Sequence, residues 1–447
     1  MLARLKYYPI FFVWFLVIAL PGIALAEQGD ELVRAVLAND IEGVKDLLNK
    51  GVDINAQQND GTTALVLAVR RHYKDIAVLL LDYGADVNVQ TKYGHTALMD
   101  AAIEKQTDLG LLLLDKQADV NTVDAKGRTP LMFALGEDTR LMEAMLGKGA
   151  DPNARDNNGR TLLIRASMGD FPQAAKLLLA AGVSVDDQDR NGRSALWMAS
   201  RKGATEIVEL LIAKGADVNA VDKFGITPIL IATRKGKPAA ASLLVAKGAM
   251  LDQVPRGSKT PLMYAAGQGE LYLVKQMLDA GAAVNQESST RVTALSEAIQ
   301  VKNTDMVELL LSRGAEPGSV SKGGAVPLIQ AVSNNSPEIV VLLLKKGAPI
   351  DGVDKGGRSA LSWAAARGNS SLANLLLNAG ADPQVMDQHG KTPLMLAVTG
   401  GDLTTVKLLL QKGADPQTRD RNGLTAYDWA EKKGLVSIME ALTALPN

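Results

Sequence analysis

The chain has 447 residues, with 48 Lys and Arg against 49 Asp and Glu, three His and no Cys. The lack of cysteine excludes disulfides, a thiol nucleophile and any cysteine-ligated metal, and a formal net charge of −1 points to no partner class through bulk electrostatics. Length alone suggests about three domains, a prior that an internal repeat replaces with one elongated domain.

Residues 1–26 stand apart from the rest of the chain. Arg4 and Lys6 precede an apolar run from Ile10 to Leu20, Pro21-Gly22 breaks it, and Ala24-Leu25-Ala26 suits small-x-small cleavage before Glu27. This is the layout of a signal peptide cleaved after Ala26, and it predicts a periplasmic or secreted protein. The run is short for a spanning helix; left uncleaved, residues 10–26 would instead anchor the chain in the inner membrane. With no Cys near the site, a lipoprotein anchor is excluded, and a cysteine-free chain tolerates an oxidising compartment.

Beyond Glu27 the chain repeats itself. Alanine stands at 35, 68, 101, 134, 166, 199, 232, 265, 298, 331, 364, 397 and 430, every step being 33 residues except one of 32. Glycine keeps the same interval from Gly51 to Gly413, with Gln117 the one interruption. A fixed period of this length predicts a stacked helical solenoid. The reading divides into an N-terminal capping repeat at 27–57, eleven repeats over 58–419 and a C-terminal capping repeat at 420–447. One repeat cannot bury its own apolar face, so stability is built from nearest-neighbour contacts.

Asp189 to Asn219 is one clean copy. Asn191-Gly192 marks a tight turn, and Ser194 is placed to cap a first helix with its hydroxyl. Thr129-Pro130-Leu131, Thr260-Pro261-Leu262 and Thr392-Pro393-Leu394 put Pro where a missing N–H costs nothing. Pro172, Pro238 and Pro337 are expected in the first turn of the second helix. The periodic Gly then supplies a left-handed C-cap. Runs such as Leu79-Leu80-Leu81, Leu112-Leu113-Leu114, Leu177-Leu178-Leu179 and Leu342-Leu343-Leu344 read as the buried part of the second helix, each fully buried Leu contributing about 1.5–3 kcal/mol. Tyr427 and Trp429 fall in the last repeat, and Trp363 and Trp429 read as partly buried core.

The sequence resembles the ankyrin repeat over residues 28–447, in thirteen copies. The resemblance implies a mainly α fold: an ankyrin-repeat solenoid of about thirteen helix-turn-helix repeats with hairpin-like finger loops, a concave binding face and a non-catalytic role in holding a protein partner. Together with the N-terminal segment it resembles the exported, periplasmic ankyrin-repeat proteins of Gram-negative bacteria. That group includes proteins thought to support peroxide-detoxifying enzymes and others that look like inhibitors of secreted toxins, so an accessory or inhibitor of one exported enzyme is an alternative.

Catalytic and metal motifs are lacking. His72, His95 and His389 fall in different repeats. Many ankyrin repeats carry His after Thr-Pro-Leu; here that place holds mostly apolar residues, Trp197 among them. Asp187-x-Asp189-x-Asn191-Gly192 mimics the start of a calcium loop, but Met198 stands where a bidentate Glu is needed. No cofactor, no nucleic acid and no specific small molecule is expected, and a monomer is.

Function should lie in the fingers and the exposed end of the first helix. Five such positions, taken through copies two to thirteen, hold 23 Lys or Arg and three acids. Their basic character is densest at Arg190, Arg193, Arg201, Lys202, Lys223, Arg234 and Lys235, with Arg128, Arg160, Arg256 and Lys259 extending the track. Such a face would steer an acidic protein partner or attach to anionic membrane or cell-wall polymer, although charge runs also form ordinary solvated surface. Phe224 and Tyr93 sit at finger tips, where an aromatic beside Arg or Lys is a typical anchor and also an ordinary exposed apolar residue. Two irregularities stand out. Gln117 followed by the shortened fourth repeat, near Gly136-Glu137-Asp138, suggests a soft joint. Fingers eight to ten, at Pro255-Arg256-Gly257-Ser258, Ser288-Ser289-Thr290-Arg291 and Ser321-Lys322-Gly323-Gly324, lose most of the Asp…Gly turn.

Overall fold

The computed structural model describes residues 30–318 and 326–444. The expected signal segment, the Ser321-Lys322-Gly323-Gly324 finger and Leu445-Pro446-Asn447 lie outside the described residues. The chain divides into two compact units, residues 1–184 and 185–447. The first carries repeats one to five, the second repeats six to thirteen.

All regular structure among the described residues is helical, and each repeat is a pair of short helices, A and B, as expected. Helix A is six or more residues in most copies, for example Ala97–Ile103, Ala195–Lys202 and Pro228–Arg234. Helix B is typically nine, as in Lys74–Asp82, Thr205–Ala213 and Pro337–Lys345. Isolated bridges between Arg155 and Thr161, Gln188 and Ser194, and Val353 and Ser359 close the base of three fingers.

The capping chemistry follows the residues. Thr63, Thr96, Thr161, Ser194, Thr227, Thr260, Thr293, Ser359, Thr392 and Thr425 each accept a hydrogen bond from the backbone N–H three residues on, which satisfies a donor the helix leaves orphaned. Pro172, Pro238 and Pro337 open their helices. Gln117 keeps the left-handed turn that glycine makes elsewhere, at φ 67°.

Within each unit, helix A packs on its own helix B, repeat four excepted, and on helix A of a neighbouring repeat. The repeated alanines explain the approach: Ala68, Ala101, Ala166, Ala199, Ala232 and Ala265 are fully enclosed. The leucine runs are less uniform than the sequence suggests. Their middle members, Leu80, Leu113, Leu178 and Leu343, are fully buried, whereas Leu79, Leu112, Leu177 and Leu342 are half-buried. Three consecutive residues subtend about 200° of a helix, wider than the face it buries.

Repeat four departs from the rest. Its helix A is only Pro130–Phe133. Thr129 makes no side-chain cap, and its buried hydroxyl has no hydrogen-bond partner. Helix B resumes at Arg140–Gly147, leaving Leu135 to Asp138 as irregular chain.

Candidate binding face on the fingers

Each regular finger is organised by one aspartate. In repeat six, Asp189 Oδ1 accepts from the N–H groups of Asn191 (2.8 Å) and Arg193 (3.0 Å). Oδ2 accepts from Arg193 Nε (3.0 Å) and Nη2 (2.8 Å). Burial pushes the Asp189 carboxyl up, but the Arg193 side chain and the two backbone donors hold it below the ordinary carboxylate value. Asp124, Asp354 and Asp420 show the same balance, with donors from Arg128, Arg358 and Leu424 respectively prevailing over burial. In the calcium-like pattern both Asp189 oxygens are thus occupied by donors of the turn itself.

Fingers are joined tip to tip. The N–H of Lys223 donates to the carbonyl of Asn191 at 2.9 Å. A Cβ at Gly192, whose φ is +76°, would come within 2.9 Å of the Lys223 nitrogen, so only glycine suits this approach. Equivalent bonds join Lys92 to Asp60, Ala125 to Tyr93, Asn157 to Lys126, Gln388 to Gly356 and Arg421 to His389. Finger nine substitutes its own chemistry: the Ser288 hydroxyl accepts from the N–H groups of Thr290 and Val292 in place of an aspartate, and Arg291 takes the positive φ usually given to glycine. The Ser289 hydroxyl then reaches the Gly257 carbonyl at 3.2 Å.

The predicted site residues separate into two groups. Arg193 is not available as a free cation: its side chain is 23% exposed, paired with Asp189, and its guanidinium lies 5.6 Å from the Trp197 ring centre. Arg128 is likewise bound to Asp124 at 2.6 Å and lies over Phe133. By contrast Arg190, Arg201, Lys202, Lys223, Arg234 and Lys235 are all exposed and form no ion pair with the described residues. Phe224 is 71% exposed in the same finger as Lys223. Its N–H is held by Asp222 Oδ1 at 2.9 Å, so a rigid turn presents the ring. Arg201, Lys202 and Arg234 occupy the last turns of helices A, where cations also favour the helix dipole. Tyr93 is 69% exposed in the first unit, apart from this second-unit cluster in sequence.

Three relationships escaped the sequence reading. Trp197 Nε1 donates to the carbonyl of Ile226 at 3.2 Å, so the apolar replacement of the usual His still supplies an inter-repeat hydrogen bond. Trp363 and Trp429 donate to Asp354 (2.8 Å) and Asp420 (2.9 Å), nine residues earlier in each case. Arg358 and Lys391 sit over their rings at 4.1 and 3.7 Å. At the other end of the repeats a ladder of side-chain acceptors runs from copy to copy: Asn55 to the N–H of Asp86, Asn88 to Asp119, Asn121 to Asp151, and Asn219 to Met250, at 2.7–2.9 Å. The Asn closing each Asp-x-Asn segment was the available signal.

No group of three or more His, Asp or Glu among the described residues could hold a metal ion, and no helix among them is long and apolar enough to cross a membrane. A model of the family described as ankyrin repeats (3 copies) matches in overlapping segments from residues 32–124 to 361–446, which together span nearly the whole chain. A crystal structure of an ankyrin repeat domain from Acinetobacter baumannii AYE is similar at 27% identity, covering 41% of this chain and 95% of that one, with a TM-score of 0.40. No match was found among curated proteins.

Proposed function

The chain belongs to the ankyrin-repeat family, whose members are generally non-catalytic scaffolds that bind proteins, and from that premise we propose that it is exported and holds an acidic protein partner on the fingers and helix A ends of repeats six and seven. The observation that carries this reading is that repeats six and seven expose six cations with no ion pair to the described residues, together with Phe224 at a finger tip. A rigid aromatic at a tip supplies contact area at small ordering cost, and the exposed charges speed encounter with an anionic surface. Export rests on the Arg4–Ala26 layout, which also favours a periplasmic partner over a cytosolic one.

The test is capture from a periplasmic extract of the native organism on the immobilised protein, beside a variant with Arg201, Lys202, Arg234 and Lys235 changed to Glu. A protein retained by the first and lost from the second supports the reading. Equal retention by both removes the basic face from the mechanism. Retention of anionic polymer alone replaces a protein partner with surface attachment, and a chain recovered in the cytosolic fraction with residues 1–26 intact, read by N-terminal sequencing, overturns the export assignment.

A further inference from the structure

Helix A of repeat four stops at Phe133 after four residues, whereas helix A of repeats three and five runs seven and eight. The missing turn leaves a cleft of about 900 Å³ between the flanking repeats. Met132, Phe133, Leu135, Met168 and Phe171 make its apolar walls. Arg160 and Arg165 line it and also a smaller recess of about 400 Å³ towards the fingers, so the same two guanidinium groups border both spaces.

These cations are not fully accounted for by the fold. Arg165 Nη1 pairs with Asp156 at 3.1 Å, and Arg128 with Asp124; Arg160 has no ion pair with the described residues. The Nε atoms of both Arg160 and Arg165 are buried without a hydrogen-bond partner. Burial lowers the Arg165 guanidinium; Asp156 opposes the shift, and the charges of Arg128 and Arg160 add to it. Three cations are therefore crowded around two carboxylates. Of the two acids that line the cleft, Glu137 forms no ion pair with Arg160 or Arg165, and Asp138 is already held by Arg140 (2.8 Å) and Thr107 (3.1 Å), which keep its carboxyl far below the usual range. The Nε atoms themselves are enclosed, so an outside acceptor meets the part of each side chain that lines the cleft, both arginines being partly exposed.

We propose that this cleft binds a peptide segment of a protein partner in which an acidic side chain pairs with the cleft-lining guanidinium groups of Arg160 and Arg165 while an adjacent apolar side chain fills the space against Met132, Phe133 and Met168. The cleft follows helix A of repeat five from Arg165 to Gly169, about 6 Å of helix axis. Two extended residues at about 3.3 Å each cover that length, which matches an apolar–acid pair. The site is separate in sequence from the basic cluster of repeats six and seven, and its occupancy is independent of the function proposed for that cluster.

A random octapeptide library displayed on phage is selected against the immobilised full chain, and the enriched peptides are titrated by fluorescence anisotropy. Wild type is compared with Arg160→Gln, which removes the unpaired cation, and with Gly136→Trp. Gly136 lines the cleft, and a Cβ there meets nothing within 4 Å, so the indole enters open space while the backbone is kept. Circular dichroism confirms that each variant is folded. The expected result is a shared apolar–acid pattern, with affinity falling at least tenfold in both variants and unchanged in Arg201→Glu/Lys202→Glu. Peptides without an acid, no shared pattern, or equal binding by wild type and both cleft variants would overturn the proposal.

Discussion

Arg193 and Asp189 close one finger upon itself: Nη2 lies 2.8 Å from Oδ2, while the same carboxylate fixes the Arg193 backbone N–H from its other oxygen. A residue that sequence position assigns to the binding face is thereby a brace of the turn behind it. Arg193→Gln is expected to lower stability by about 1.5–3 kcal/mol, the range for hydrogen bonds to a charged group, with little loss of partner. Arg201→Glu with Lys202→Glu should do the reverse. Thermal melts and partner retention measured on both variants separate the two roles, and equal loss of binding in the two would contradict them.

Acid should act on these braces together. Asp124, Asp189, Asp354 and Asp420 all have carboxyls held below the ordinary value in the fold. A depressed folded pKa contributes stability that is fully present above the unfolded pKa, about 3.9, and is lost as pH falls through the folded value. Denaturant midpoints should therefore hold steady between pH 7 and 5 as far as these groups are concerned, then drop below about pH 4. Asp189→Asn should show a smaller drop over that acid range than wild type.

Gln117 occupies a left-handed position with its side chain exposed. A non-glycine residue there costs about 1–2 kcal/mol, and glycine gives back about 0.5–1 kcal/mol in chain entropy. Gln117→Gly is expected to stabilise the first unit by up to about 1 kcal/mol, read as a higher urea midpoint with an unchanged slope. An unchanged or lower midpoint would show that the turn is not strained.

Repeat four should open before its neighbours. Its helix A has four residues and no side-chain cap, so few of its amides are locked in intrahelical bonds. In hydrogen exchange, residues 130–134 should lose protection faster than Ala97–Ile103 or Leu162–Gly169. Uniform protection across residues 91–155 would remove the soft joint expected from Gln117 and the one-residue deletion.

The repeat was legible because its causes are local. Ala199 must be small where helices meet, Gly215 must be left-handed, and Ser194 must present a hydroxyl; each requirement restricts one position to one or two residue types. The binding face was legible only as composition. Whether Arg193 or Arg201 is free depends on a carboxylate four residues away in one case and on its absence in the other, and both arginines look alike in a count of charges. The nine-residue link from Asp354 to Trp363 was hidden because its two ends lie on different elements, a finger and a helix. The same spacing joins Asp156 to Arg165, so one geometric slot is filled by quite different side chains. The cleft in repeat four follows from a single missing residue, whose effect on helix length no periodicity expresses.

The tryptophans have an optical consequence. Beyond Trp14 in the N-terminal segment, the chain's tryptophans are Trp197, Trp363 and Trp429, all within residues 185–447, the second unit. Each indole N–H is tied to a carbonyl or a carboxylate. Once the N-terminal segment is removed, every indole lies in the second unit, while far-ultraviolet dichroism sees every helix. Superimposed melting curves from the two signals would mean that both units unfold in one step; a dichroism change at constant emission would time the loss of the first unit alone, without any label being added.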